Sequence, residues 1–289
     1  MSSKVRFSLS SEKAAPYVFV LPGVIALAVL IVYPAALALV NSLQVPNGWS
    51  FENYHNILND SVVWQALWNT CIFALFSVIG HYLLGLAIAL LINHQIYMES
   101  FFRVCFLIPW MFPAVVPGII WMWMLHGQFG IINALLQGFG FIDRYVSWLG
   151  NPHTALPMVI IANIWRGFPI LMVTFLAGLQ TIPEELYDAA DVDGAGSLKK
   201  FWYITLPHLR AVSIVMLLID TIWQFNSFTI VQTMTQGGPG NTTQVLATLI
   251  YKYAFNYNMY EVGSALGILL LIIMLIPGSL YVYNVVKND

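Results

Sequence analysis

The chain has 289 residues, of which 59% are hydrophobic and only 8% charged, with a formal net charge of −2. Roughly a quarter of an ordinary soluble domain is charged, so water is not the main solvent of this surface, and the global basic field of a nucleic-acid binder is missing. Cys71 and Cys105 lie in long apolar stretches with no Cys or His at metal-ligand spacing, which argues against a disulfide framework and against a metal site.

Lys4, Arg6 and Lys13 precede an apolar run over residues 17–40, in which Ala36-Leu37-Ala38 faintly resembles a signal-peptidase site. The run is longer than a usual signal core and long enough to cross ~30 Å of hydrocarbon at ~1.5 Å per residue. A retained helix is expected, with 1–16 a cytoplasmic segment and 17–66 the first span and its outer loop. Further apolar runs at 68–92, 102–125, 155–180, 209–231 and 262–283 predict an all-α, polytopic membrane protein of six spans, with residues 67–283 as its core and 284–289 as a cytoplasmic tail. Pro109, Pro113 and Pro117 predict kinks in the third run, tolerated where neighbouring helices satisfy the freed backbone.

Orientation follows from Lys and Arg, which short loops retain on the cytoplasmic side of a cell membrane. With both termini inside, Lys4, Arg6, Lys13, Arg103, Lys199, Lys200, Arg210 and Lys287 are cytoplasmic, and only Arg144 and Lys252 are outside. The outer loops 41–67, 126–154 and 232–261 are polar, aromatic and nearly uncharged, and Gln236-Gly237-Gly238-Pro239-Gly240 reads as a turn. No phosphate-cradling G-x-x-x-x-G-K-[ST] occurs, so the chain carries no ATPase motif and no cofactor is expected on it.

Residues 181–207 hold five of the thirteen acidic residues. Thr181 and Glu184 fit a capping box with Pro183 in the first turn, and Ile182, Leu186, Ala189 and Ala190 form an apolar stripe beside the acidic row Glu184, Asp188 and Asp191. Gly194-Ala195-Gly196 breaks this helix, and Ser197 is placed to cap a second, short one whose Leu198, Phe201, Trp202 and Thr205 share a face before Pro207. Such a hairpin could lie on the membrane as a plain connection. An acidic face is repelled by the anionic cytoplasmic leaflet, however, which favours docking against a protein.

Ionisable groups at membrane depth are costly and therefore candidates for function. Arg166 in the fourth run and Asp220 in the fifth are expected to pair with each other, and His81 reads as a packed polar residue. Trp223, Gln224, Phe225 and Asn226 alternate amides with aromatic faces and, with Asn163 and Trp165, either line a path for a sugar-like solute or bond helix to helix. A secondary transporter is the rival reading, but no internal repeat is evident and Asp220 is the one intramembrane acid. A membrane-embedded enzyme has no motif in its favour.

Asp188-Ala189-Ala190, Gly194 and Ile204-Thr205-Leu206-Pro207 stand at a spacing that resembles the EAA motif of permease subunits in ABC importers, with Asp188 where Glu is usual. Trp68-Asn69-Thr70, Phe102-Arg103 with Pro109 and Pro113, residues 176–180, Phe201-Trp202, and Gly237-Gly238-Pro239 with Thr243 extend the likeness to the maltose and glycerol-phosphate type of sugar permease. The resemblance implies a docking loop in which Glu184, Glu185, Leu186, Asp188, Ala189, Ala190, Asp193, Gly194, Phe201, Leu206 and Pro207 meet an ATPase subunit. It further implies a second, related permease, two ATPases using ATP and Mg, an extracytoplasmic binding protein, and a sugar or polyol as solute.

Overall fold

The computed structural model describes residues 9–46, 48–93 and 99–288, and the basic residues Lys4 and Arg6 lie outside them. Helix α1 (Leu9–Leu27) continues through a π turn (Ala28–Val32) into α2 (Tyr33–Ser42), which rests along the C-terminal helix. A two-residue antiparallel ladder, β1 (Gln44–Val45) with β2 (Gly48–Trp49), leads to α3 (Glu52–Asn59). Helix α4 (Ser61–Asn93) is 33 residues, roughly 50 Å at ~1.5 Å per residue, and so extends beyond the hydrocarbon.

The third expected span is split into α5 (Glu99–Met111) and α6 (Val115–Met124). The two halves meet at 95° around Pro113, whose missing N–H and fixed φ interrupt the helical ladder. Helix α7 (Ile131–Gly138) follows, and α8 (Ala155–Leu179) runs unbroken through Pro169. The hairpin consists of α9 (Glu184–Val192) and α10 (Ser197–Lys200), which passes through a π turn (Phe201–Thr205) into α11 (Leu206–Phe225). Short helices α12 (Thr229–Met234) and α13 (Leu246–Tyr251) precede the 29-residue α14 (Tyr260–Asn288).

Among the described residues, four helical stretches are long and apolar enough to span a membrane, Phe19–Ser42, Ser61–Asn93, Ala155–Leu179 and Ser197–Phe225, and the bent α5–α6 pair makes a fifth. Helix α14 occupies the place of the sixth expected span, with Tyr260–Ile276 as its described apolar part. The expected fifth span at 209–231 ends early, because the backbone leaves the helix at Asn226 and resumes only at Thr229.

Close packing of α4 on α8 builds the centre, and small residues permit it. A methyl group on Gly80 would overlap Ile164, and one on Gly85 would stand 3.0 Å from the backbone nitrogen of Met172. Along this pair the interior is layered. Phe73, Val159 and Ile160 belong to an apolar cluster at one end, and Leu86, Leu171 and Phe175 to another at the hairpin end. Between the two lie the buried polar residues Ser77, His81 and Asn163.

Candidate functional site

The polar middle layer is a closed hydrogen-bond network joining α4, α8 and α11. His81 Nδ1 faces Asp220 Oδ2 at 2.9 Å, and Nε2 faces the backbone carbonyl of Asn163 at 3.1 Å. A carbonyl only accepts, so Nε2 carries a proton, and one further proton lies between Nδ1 and Oδ2. The His81–Asp220 pair is therefore neutral in sum. Gln224 Nε2 donates to the second carboxylate oxygen at 2.5 Å, while Gln224 Oε1 accepts from Asn163 Nδ2 at 2.8 Å. Asn163 Nδ2 also donates to Ser77 Oγ at 3.0 Å. In low-dielectric surroundings a fully satisfied network of this kind rigidifies the bundle.

The expected pairing of Arg166 with Asp220 does not form. Helix α4 brings His81 to the carboxylate first, one turn beyond Ser77 on the same face, and Gln224 takes the remaining oxygen from one turn along α11. Arg166 makes no ion pair among the described residues, and its Nε is buried without a hydrogen-bond partner.

Next to this network lies a cavity of about 360 Å³, within the range of small-molecule sites. The two broken spans meet there. Trp110 and Ala114 flank the α5–α6 bend, and Asn226, Ser227 and Phe228 form the gap between α11 and α12. Non-helical backbone at membrane depth persists only where protein buries it or a cavity is lined by it. The short halves brace each other, Gly118 of α6 approaching so near Thr233 of α12 that a methyl group on the glycine would sit 2.9 Å from the threonine Cβ.

Of the residues singled out in the sequence, Asn163, Arg166, Asp220, Trp223, Gln224 and Asn226 all line this cavity. Asn163 and Gln224 spend their amides on the network, and Asn226 Nδ2 folds back onto the Ile222 carbonyl at 2.8 Å. Trp223 is half exposed in the lining, and Arg166 keeps its Nε without a hydrogen-bond partner among the described residues. Phe225 instead packs with Leu246 and Leu266, and Trp165 stands edge-on to Trp121 at 6.1 Å, so neither lines the cavity. A larger cleft of about 760 Å³ between α4 and α8 has a mainly apolar wall that includes Ile72, Phe76, Ile160 and Ile164, with Gln65, Asn69, His153 and Thr242 among its polar residues.

The hairpin is a surface element held at one edge. Tyr187 and Phe201 pack on the apolar cluster at its base, and Tyr187 Oη lies 3.0 Å from Thr205 Oγ1. No residue of α9 is buried. Glu184 and Glu185 occupy its first turn, where the exposed N–H groups favour negative charge, and Leu186, Asp188, Ala189 and Asp193 are exposed along it, with Ala190 half-buried. Leu206 and Pro207 open α11. Gly194 has φ +71°, and its N–H bonds Asp191 O at 3.0 Å while Ala195 N–H bonds Ala190 O at 2.8 Å, the pair of bonds that closes a Schellman ending.

Two caps expected from the sequence are not made. Thr181 Oγ1 donates back to Gly178 O at 2.7 Å, leaving Pro183 as N-cap of α9, and Gly196 rather than Ser197 caps α10. Leu198 and Trp202 face solvent while Phe201 and Thr205 turn inward, because the wider π turn shifts the register.

The opposite end contains residues whose role pattern reasoning did not reach. Asn69 Nδ2 donates to Gln244 O at 3.0 Å, and Thr70 Oγ1 accepts from Leu246 N–H at 2.9 Å, so α4 holds the loop after α12. The expected Gly-rich turn is there, with φ +87° at Gly237 and +54° at Gly240. At Gly237 a side chain would also overlap the buried Gln244 amide.

Fold and site together define a polytopic transport protein: a helical bundle with a polar station between broken spans and an exposed hairpin. Residues 81–288 match the family described as binding-protein-dependent transport system inner membrane component, and the chain belongs to that family. It is 35% identical over 276 residues to the sulfoquinovosyl glycerol transport system permease protein SmoG of Agrobacterium fabrum, covering 93% of this chain and 89% of that one. It is 34% identical to the arabinooligosaccharides transport system permease protein AraP of Bacillus subtilis, covering 92% and 87%. Its fold is that of a chain of the bacterial alginate ABC transporter solved in complex with alginate pentasaccharide-bound periplasmic protein, with TM-score 0.82, 23% identity and 92% of each chain covered. The chain is a permease subunit of an ABC importer, an all-α multi-pass membrane protein whose family works with a binding protein.

Proposed function

We propose that this permease forms half of the path for a sugar or related polyol, and that the cavity between the broken spans is the station where the solute pauses. One observation carries this reading: the α5–α6 bend and the α11–α12 gap open onto the same polar cavity beside α8. Sugar rings present apolar faces and a hydroxyl rim, and Trp110, Trp223 and Phe228 with Asn226 and Ser227 complement both. The relatives' names, which include arabinooligosaccharides and sulfoquinovosyl glycerol, support the same class.

In this reading the α9–α10 hairpin docks into an ATPase subunit, with Glu184, Glu185, Asp188 and the small Ala189 and Ala190 at the contact. A second, related permease completes the path, ATP and Mg are used by the two ATPases, and both termini face the cytoplasm. The basic residues Arg103, Lys199, Lys200 and Arg210 gather towards the hairpin side in support of that orientation. Uptake in proteoliposomes containing the complete importer tests the station. Trp223→Ala should lower uptake at least tenfold while ATPase co-purification is retained, and unchanged uptake would remove the cavity from the path.

A further inference from the structure

We propose that the solute bears an anionic group on its sugar framework, a carboxylate, sulfonate or phosphate, and that Arg166 holds it. The inference rests on reading the cavity as the solute station. Arg166, in the middle of α8, lines the cavity, and its buried Nε has no hydrogen-bond partner among the described residues. A guanidinium at membrane depth that lacks a counter-ion is costly, and chains that keep one use it.

The other titratable groups in the lining are His81 and Asp220, and neither forms an ion pair with Arg166. The Asp220 oxygens are engaged by His81 at 2.9 Å and by Gln224 at 2.5 Å, and the His81–Asp220 pair is neutral in sum. The charge of the lining therefore reduces to the single positive charge of Arg166. A neutral solute would leave that charge as it stands, whereas an anion would offset it. The planar fork of five N–H donors matches the paired oxygens of carboxylates, sulfonates and phosphates, and the fixed charge demands no proton exchange on binding. Trp110, Trp223 and Phe228 remain for the apolar ring faces. Thus the lining divides its labour between one charged anchor and several aromatic walls.

The test is titration of the complete transporter in nanodiscs, followed by calorimetry, with glucuronate and glucose 6-phosphate each compared with glucose, and digalacturonate compared with its carboxyl-reduced form. An anionic member should bind roughly ten- to a hundredfold more tightly than its neutral counterpart, as expected for a charge-assisted contact. Arg166→Gln should abolish that advantage, and Arg166→Lys should retain part of it while confirming that a changed side chain is tolerated. Equal binding of charged and neutral members in the wild type, or an advantage that survives Arg166→Gln, overturns the inference. So does loss of the second permease from the Arg166→Gln complex, which would assign the arginine to an acid of that neighbour. Equal binding of charged and neutral members that disappears in Trp223→Ala keeps the station and discards only the anion, so the two readings fail separately.

Discussion

The His81 ring is wedged between α4, α8 and α11, and Gly167 makes room for it: a methyl group there would overlap the imidazole. Gly167→Ala should therefore destabilise the purified subunit by about 1–3 kcal/mol through overpacking, read by thermal unfolding in detergent, and the same change should cost less in a His81→Ala background than in the wild type. Asp220→Ala should cost about 3–5 kcal/mol by stranding His81, while Arg166→Gln should change the unfolding temperature little. Equal losses at Arg166 and Asp220 would restore the direct pairing that the geometry denies. Near the other end, burial and the 3.0 Å hydrogen bond to Asp60 push the Tyr253 phenol up to about 12. Its folded-state value is raised, so the stability it adds is complete below its ordinary range and is lost only as pH rises through about 12. Between pH 6 and 9 the deficit of Tyr253→Phe should be flat in an unfolding series, and a deficit that varies across that window would contradict this assignment.

Helix α9 ends where Gly194 takes φ +71°, a conformation that costs roughly 1–2 kcal/mol for a residue with a Cβ. Gly194→Val should fray the hairpin and reduce recovery of the ATPase with the purified permease, whereas Gly196→Ala, at φ −71°, should not. The hairpin was legible in the sequence because amphipathic spacing and a glycine stop are local signals. The break after Phe225 was not, since Phe228, Ile230 and Val231 keep the average hydropathy high across Asn226 and Ser227, and hydropathy reports composition, not the course of the backbone. The partner of Asp220 was hidden for a different reason. His81 lies 139 residues away, and only the register of α4 against α8 and α11 decides which polar side chain reaches the carboxylate. The cavity residues were found as a set because polar groups are rare in apolar helices, but which amides are already bonded could be read only from their mutual geometry.

Across the molecule, the hairpin and the cavity share α8 and α11. Tyr187, Phe201 and Ile204 pack on the same apolar cluster as Leu171, Phe175 and Leu209, so a push on the hairpin reaches the helices that wall the cavity. Tyr187→Ala should preserve membrane insertion yet weaken the link between ATP hydrolysis and uptake, seen as hydrolysis continuing while solute delivery per ATP falls in proteoliposomes. Full delivery would show that motion passes by another route.

The rod of α1 and α2 has a different relation to the rest. None of the most apolar stretch of Phe19–Ser42 is buried by its own chain, while its far end is locked, with Asn53 Nδ2 donating to Ser42 O at 3.0 Å and Ser42 Oγ 2.7 Å from Tyr54 Oη. It is a mast stepped at one end, with its flank left to lipid or a neighbour. Exchanging residues 19–32, ahead of the part that rests along the C-terminal helix, for an unrelated greasy helix should therefore leave the melting of the remaining bundle intact, and any penalty should surface only when the whole importer is put together.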